Sequence, residues 1–221
     1  MSLGRRRLER ICYLCGLRLG SDRTADHVPP KQVFPQAFRR TGPQLVTLPA
    51  HRDCNEAFQR DEEYVVTTLA GFAAHSPAGR LLWRDIGSKS AGLVKRVLDE
   101  FDRRPGGLML PPGKIVRRFD AGRVHRVMLK IARGLYFLER GVPLPEQTPA
   151  LVRLILPGEE PPPEVRVLLP EPEQGRYPRV FAYRYKEFAL PERFHVWAFL
   201  FWDSVACSVA THHPPPVEST T

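Results

Sequence analysis

"CYLCGLRLGSDRTADHVPP" at residues 12–30 and "LPAHRDCN" at residues 48–55 hold three of the four cysteines and two of the seven histidines of the chain. Cys12 and Cys15 form a C-x2-C pair, and His51 and Cys54 an H-x2-C pair. Each spacing lets one tight turn aim two ligand atoms at one ion, and four N/S ligands suit tetrahedral Zn²⁺. The residues between the pairs are rich in turn formers (Gly16, Gly20, Pro29, Pro30) and poor in apolar residues. A connection of that kind does not persist without a local staple. A structural zinc held by Cys12, Cys15, His51 and Cys54 is therefore expected, and its binding free energy would be folding free energy for this unit.

A zinc staple alone leaves two features unexplained. Asp26-His27 lies between the half-sites, and Asn55 follows the last ligand directly, where a helix is expected to begin. Closing the knuckle would bring a carboxylate, an imidazole and an amide together.

In order and spacing, residues 11–65 resemble the zinc-stapled branch of the HNH endonuclease superfamily, the ββα-metal or His-Me finger nucleases. The matching elements are Cys12-x2-Cys15, "DHVPP" at Asp26–Pro30, "QLVTL" at Gln44–Leu48 and "HRDCN" at His51–Asn55. The resemblance implies a metal-dependent hydrolysis of DNA phosphodiester bonds. It makes His27 the general base and Asp26 and Asn55 ligands of a catalytic Mg²⁺ or Mn²⁺, a hard ion suited to oxygen donors. Gln59, one helical turn beyond Asn55, could reach that ion; Glu62, almost two turns on, is read as structural. Gln44 stands where the family usually has the asparagine that orients the catalytic histidine, and His51 stands where a cysteine is commoner. Lys31, Arg39, Arg40 and Arg52 are candidate phosphate contacts.

Beyond this unit the pattern turns helical and then β. A helix is expected from Asn55 to about Phe72, with Asp53 as its cap, and another from Ser76-Pro77. Two more are read in "SAGLVKRVLDEFDRRPGG" (90–107) and "DAGRVHRVMLKIARGLYFLERG" (120–141). In the latter, Val124, Val127, Met128, Ile131, Leu135 and Leu138 make an apolar stripe, and Arg126, Lys130 and Arg133 an opposite face read as solvated. "LVRLIL", "EVRVLL", "RVFAYRY" and "FHVWAFLFW" read as strands. The fold class is α+β, with a zinc-stapled ββα-metal unit at 1–75, an α+β domain of unknown role at 76–213 and a disordered tail at 214–221. His75, His125 and His195 are read as structural, and Cys207 as a buried core thiol.

The chain carries 33 Lys and Arg against 24 Asp and Glu, a formal net charge of +9. Residues 1–60 hold eleven basic and five acidic side chains, so most of the excess surrounds the Cys/His cluster. This balance favours a polyanionic partner such as DNA. No apolar stretch follows the basic start, and "FHVWAFLFW" falls far short of the ~20 residues of a membrane helix. A cytoplasmic protein with no membrane partner is expected, and a homodimer stays open. Two other functional classes are compatible with the sequence: a non-catalytic nucleic-acid-binding zinc module, and a protein-interaction domain carried by the C-terminal part.

Overall fold

Two short strands lead directly into a long helix at the start of the chain; the computed structural model describes residues 10–89, 92, 95, 120–189 and 193–213. Strand β1 (Arg23–His27) pairs antiparallel with β2 (Thr47–His51), setting Arg23 opposite His51 and His27 opposite Thr47. Their connection carries a single 3-10 turn at Lys31–Val33 and a short helix, α1 (Gln36–Thr41). Pro49 is tolerated within β2 because no strand on its outer edge needs the missing N–H. Its carbonyl instead accepts the Tyr13 N–H at 3.1 Å, tying the C-x2-C turn to the hairpin.

Helix α2 (Arg52–Ala70) starts one residue after β2 ends, three residues earlier than its periodicity suggests. His51 occupies the cap position, no side chain caps the helix, and Asp53 lies inside its first turn. Val65, Val66 and Leu69 are buried along one face. Helix α3 (Pro77–Lys89) begins at the expected Ser-Pro signal, and the Ser76 hydroxyl accepts the Gly79 N–H at 3.0 Å. The helix read over 90–107 lies outside the described residues apart from 92 and 95.

Helix α4 (Ala121–Arg140) is capped by the Asp120 carboxylate, which accepts from the Arg123 N–H, and it ends at Gly141 in the left-handed region. Its stripe from Val124 to Leu135 is buried as the spacing requires, whereas Leu138 is 46% exposed. The charged face departs from expectation in part. Arg126 is exposed and pairs with Asp61, whereas Lys130 is only 1% exposed and Arg133 is buried as well, because this end of the face packs against α2 instead of facing solvent.

The C-terminal third forms one antiparallel sheet, ordered β3-β7-β6-β5-β4. Its strands are β3 (Ala150–Ile155), β4 (Gln174–Tyr177), β5 (Phe181–Phe188), β6 (Arg193–Phe201) and β7 (Val205–His213). Two readings are corrected here. "EVRVLL" is not a strand: Pro162 and Pro163 start a short helix, α5 (Pro163–Arg166), and Val165 and Leu168 bury themselves at helical spacing. β7, the central partner of both β3 and β6, had no strand assigned to it. The β6–β7 turn uses Trp202 and Asp203 at φ 54° and 53°, positions where glycine or asparagine normally gives the hairpin away.

Residues of 1–75 and of 76–213 share one continuous core, in which Tyr13, Val28 and Leu48 belong with Met128, Phe137, Trp197 and Phe201. Three polar or aromatic contacts reinforce it. The Trp202 indole N–H donates to the Val33 carbonyl at 2.8 Å. The Tyr177 hydroxyl accepts the Val46 N–H at 2.6 Å, and its ring stands edge-on to Phe34 with centroids 4.6 Å apart. Mixed helix and sheet around this core make an α+β architecture. Among the described residues no helix is long and apolar enough to cross a membrane. The tail expected at 214–221 lies outside the described residues.

Candidate metal centre and the cleft beside it

The C-x2-C turn closes through hydrogen bonds from Gly16 N–H to the Cys12 carbonyl and from Cys12 N–H to the Leu17 carbonyl, each 2.9 Å. Gly16 takes φ +76°, a left-handed conformation that a residue with a Cβ rarely adopts. The second half-site spans a strand end and a helix start: His51 closes β2 and Cys54 sits in the first turn of α2. One ligand atom from each of Cys12, Cys15, His51 and Cys54 lies within 4.8 Å of every other.

The four can hold a metal ion such as zinc. Cys15 Sγ is 3.4 Å and Cys54 Sγ 3.9 Å from His51 Nδ1. Metal–ligand distances of about 2.3 Å for sulfur and 2.0–2.1 Å for nitrogen, at tetrahedral angles, put S and N roughly 3.6 Å apart. The other ring nitrogen, Nε2, lies 3.1 Å from the Arg18 carbonyl. An Nε2–H bond to that carbonyl leaves Nδ1 free to bind metal and fixes the ring orientation, as outer hydrogen bonds do at histidine ligands. Cys207 is fully buried in the sheet, away from this cluster, and burial pushes its thiol pKa up.

Beside the cluster an open cleft of about 360 Å³ is lined by Asp26, His27, Lys31, Asn55, Gln59 and Glu62, together with Gln32 and Glu63. β1 delivers Asp26 and His27; Asn55, Gln59 and Glu62 follow at helical spacing on one face of α2. Thus five residues singled out from the sequence, Asp26, His27, Lys31, Asn55 and Gln59, share one cavity. His27 is half-buried, and burial, then the Lys31 ammonium, with a smaller push from Lys130, hold its pKa below the ordinary value against the pull of Asp26. A neutral imidazole is the form that can take up a proton.

Gln44 is placed elsewhere. It is exposed ahead of β2, its carbonyl accepts the Tyr177 hydroxyl at 3.1 Å, and it lines a separate cavity of about 800 Å³ with Val28, Thr47 and Tyr183. It is not among the residues lining the His27 cleft. Of the other basic candidates, Arg52 and Arg40 are exposed, at the start of α2 and the end of α1, and Arg39 is half-buried. Only Lys31 joins the cleft lining.

Two residues not read as functional prove central. The Tyr13 hydroxyl donates to Asp26 Oδ2 at 2.6 Å. Burial, reinforced by the Asp26 charge, raises the Tyr13 pKa well above its ordinary value, so the phenol stays a donor. Lys130 Nζ lies 3.0 Å from Asp26 Oδ1 and 2.8 Å from Oδ2, and also pairs with Glu62 Oε1. Burial raises the Glu62 pKa, while the Lys130 ammonium opposes the rise. A signal existed in "VMLKIA": a lone lysine inside an apolar run is an early sign of a buried ion pair. The three histidines read as structural have hydrogen-bonding partners. His75 Nε2 meets the Ser204 hydroxyl at 3.2 Å and His125 Nε2 the Ala150 carbonyl at 3.2 Å, while His195 is buried with Nδ1 2.8 Å from the Tyr185 hydroxyl.

Comparison with family models, with curated proteins and with solved structures returns no match to this chain.

Proposed function

We propose that this chain is a metal-dependent endonuclease of the HNH type, hydrolysing phosphodiester bonds in DNA. The observation that carries the reading is the shared cleft: Asp26, His27, Asn55 and Gln59 converge from a hairpin and the following helix, next to a Cys₃His cluster. The cluster takes Zn²⁺ and acts as the staple that joins hairpin to helix.

The donor set of the cleft suits a hard divalent ion. An ionised carboxylate offers about four lone-pair sites. Tyr13 and Lys130 occupy Asp26 Oδ2, and Lys130 also meets Oδ1, so Oδ1 keeps a site for one metal bond. Asn55 and Gln59 add neutral amide oxygens, and water and phosphate would complete the shell. Bound Mg²⁺ or Mn²⁺ supplies polarisation of the scissile phosphate and stabilisation of the leaving oxygen. His27 takes the proton of the attacking water, a role that needs its imidazole neutral. Its backbone is anchored by the buried Val28-Pro29-Pro30 segment, which keeps the ring at the cleft. Lys31, exposed on the rim, offers an ammonium to the phosphate backbone.

Supercoiled plasmid incubated with the zinc-loaded protein and Mg²⁺ or Mn²⁺ tests the reading. Nicking is expected, and His27→Ala should slow it by roughly 10²–10⁴-fold while keeping fold and zinc. Equal cleavage by His27→Ala would remove the assigned base. A nucleic-acid-binding zinc module without catalysis is the second reading, favoured by the position of Gln44 outside the cleft. Metal-independent, salt-sensitive DNA binding with no nicking at any divalent ion concentration would select it.

A further inference from the structure

A lysine stands behind the wall of the cleft. Asp26 and Glu62 both line the cavity, while Lys130, 1% exposed, reaches the same two carboxylates from α4 and is not among the lining residues. The carboxylates therefore lie between a buried ammonium and the open cleft. The ammonium has two carboxylates and an aromatic ring around it. Asp26 and Glu62 accept its protons, and the Phe58 ring centroid lies 5.2 Å from Nζ, a cation–π distance. One turn further along α4, Gly134 abuts Val28, so the helix that carries Lys130 is seated against the residue that follows His27.

We propose that Lys130 is a positioning residue that acts as an internal competitor for the divalent ion, holding Asp26 in place before the ion arrives and weakening the hold of the cleft on it. This rests on the nuclease reading of the cleft. Two buried carboxylates with no counter-charge would be strongly unfavourable, so in the ion-free protein either a cation accompanies them or one of them takes up a proton. Lys130 supplies that cation permanently. An ion entering from the cleft then meets a cluster whose net charge is −1, where the two carboxylates alone would give −2. It also finds three of the four lone-pair sites of Asp26 in use. Both effects lower affinity, and neither requires Lys130 to touch DNA or water. The arrangement makes the site weak for metal and ordered without it.

The test is Mn²⁺ binding to the zinc-loaded full chain, followed by the electron paramagnetic resonance of free Mn²⁺. Manganese does not displace zinc from a thiolate-rich site, so the signal reports the cleft. Lys130→Met should bind Mn²⁺ about tenfold more tightly or better than the parent protein, since a positive charge paired with the Asp26 carboxylate that would hold the ion is removed. Because Lys130→Met leaves two unpaired buried carboxylates and could fail to fold, the same substitution is also made in a Glu62→Gln background. There Lys130→Met/Glu62→Gln should exceed Glu62→Gln by a similar factor, and Asp26→Asn should abolish the binding. Mn²⁺ binding that depends on Asp26 but is unchanged or weaker without Lys130 would overturn the proposal and leave the nuclease reading standing. That is also what a purely structural lysine would produce. Absence of Asp26-dependent Mn²⁺ binding in every variant would overturn both.

Discussion

Gly134 in α4 stands so close to Val28, the residue after His27, that a Cβ on the glycine would lie 2.6 Å from both valine methyls. Real Cβ atoms do not tolerate that distance, and neither neighbour can move cheaply, since Val28 is buried and branched. Gly134→Ala removes about 1 kcal/mol of helix-propensity penalty but adds overpacking, which typically costs 1–3 kcal/mol. The clash should win. We expect Gly134→Ala to lower stability by up to about 2 kcal/mol in urea denaturation, and a stabilised variant would show that the helix is not seated on Val28 this tightly.

Tyr13 and Asp26 make the second test of the buried site. Tyr13→Phe keeps the ring, which is fully buried and lies in sequence between Cys12 and Cys15 of the candidate metal cluster, and deletes one hydrogen bond to a charged acceptor. Such bonds contribute about 1.5–3 kcal/mol, so a loss in that range is expected in equilibrium unfolding. Zinc content should not change, because neither Cys12 nor Cys15 depends on the hydroxyl.

The two fully buried cysteines, Cys12 and Cys207, should respond in opposite ways. With zinc on the candidate cluster, Cys12→Ser would remove one ligand, and because binding and folding are coupled, the region 10–55 should lose both zinc and hydrogen-exchange protection. Cys207→Ser changes a core thiol in β7 and should retain full zinc stoichiometry at a modest stability cost. Equal zinc in both variants would show that Cys12 is not a ligand.

Asn55 and Gln44 separate the cleft from the family pattern. Asn55→Ala should suppress plasmid nicking, since it removes an oxygen donor from the cleft, whereas Gln44→Ala should leave the rate close to the parent value. A large loss with Gln44→Ala would mean that this residue reaches His27 during catalysis from its place on the neighbouring cavity.

Much of this protein was legible without coordinates, for reasons that are local. The members of the C-x2-C pair and of the H-x2-C pair are each held together by a few backbone bonds, so spacing alone was enough to anticipate each half-site. Asn55 and Gln59 follow the last ligand on one helix, and helical periodicity was enough to put them on one face. The amphipathic stripe of α4, its glycine stop and the Ser-Pro start of α3 are local in the same sense. β7 escaped because its hairpin turn opens on Trp202, a bulky residue with no local preference for positive φ. "EVRVLL" misled because its prolines act as a helix start only where Val165 and Leu168 find a core to enter.

Lys130 marks the limit. Its position in α4 was readable, but its partners lie 104 and 68 residues away in sequence. A lysine on a helix face is solvated or buried according to what packs against that face, and no periodicity encodes the approach of another element. Only the tertiary structure, through the seating of α4 on α2 and Val28, brought the ammonium to Asp26 and Glu62. The chain by itself determined which donor groups stand at metal-ligand spacing; long-range packing decided which charges surround Asp26 and Glu62.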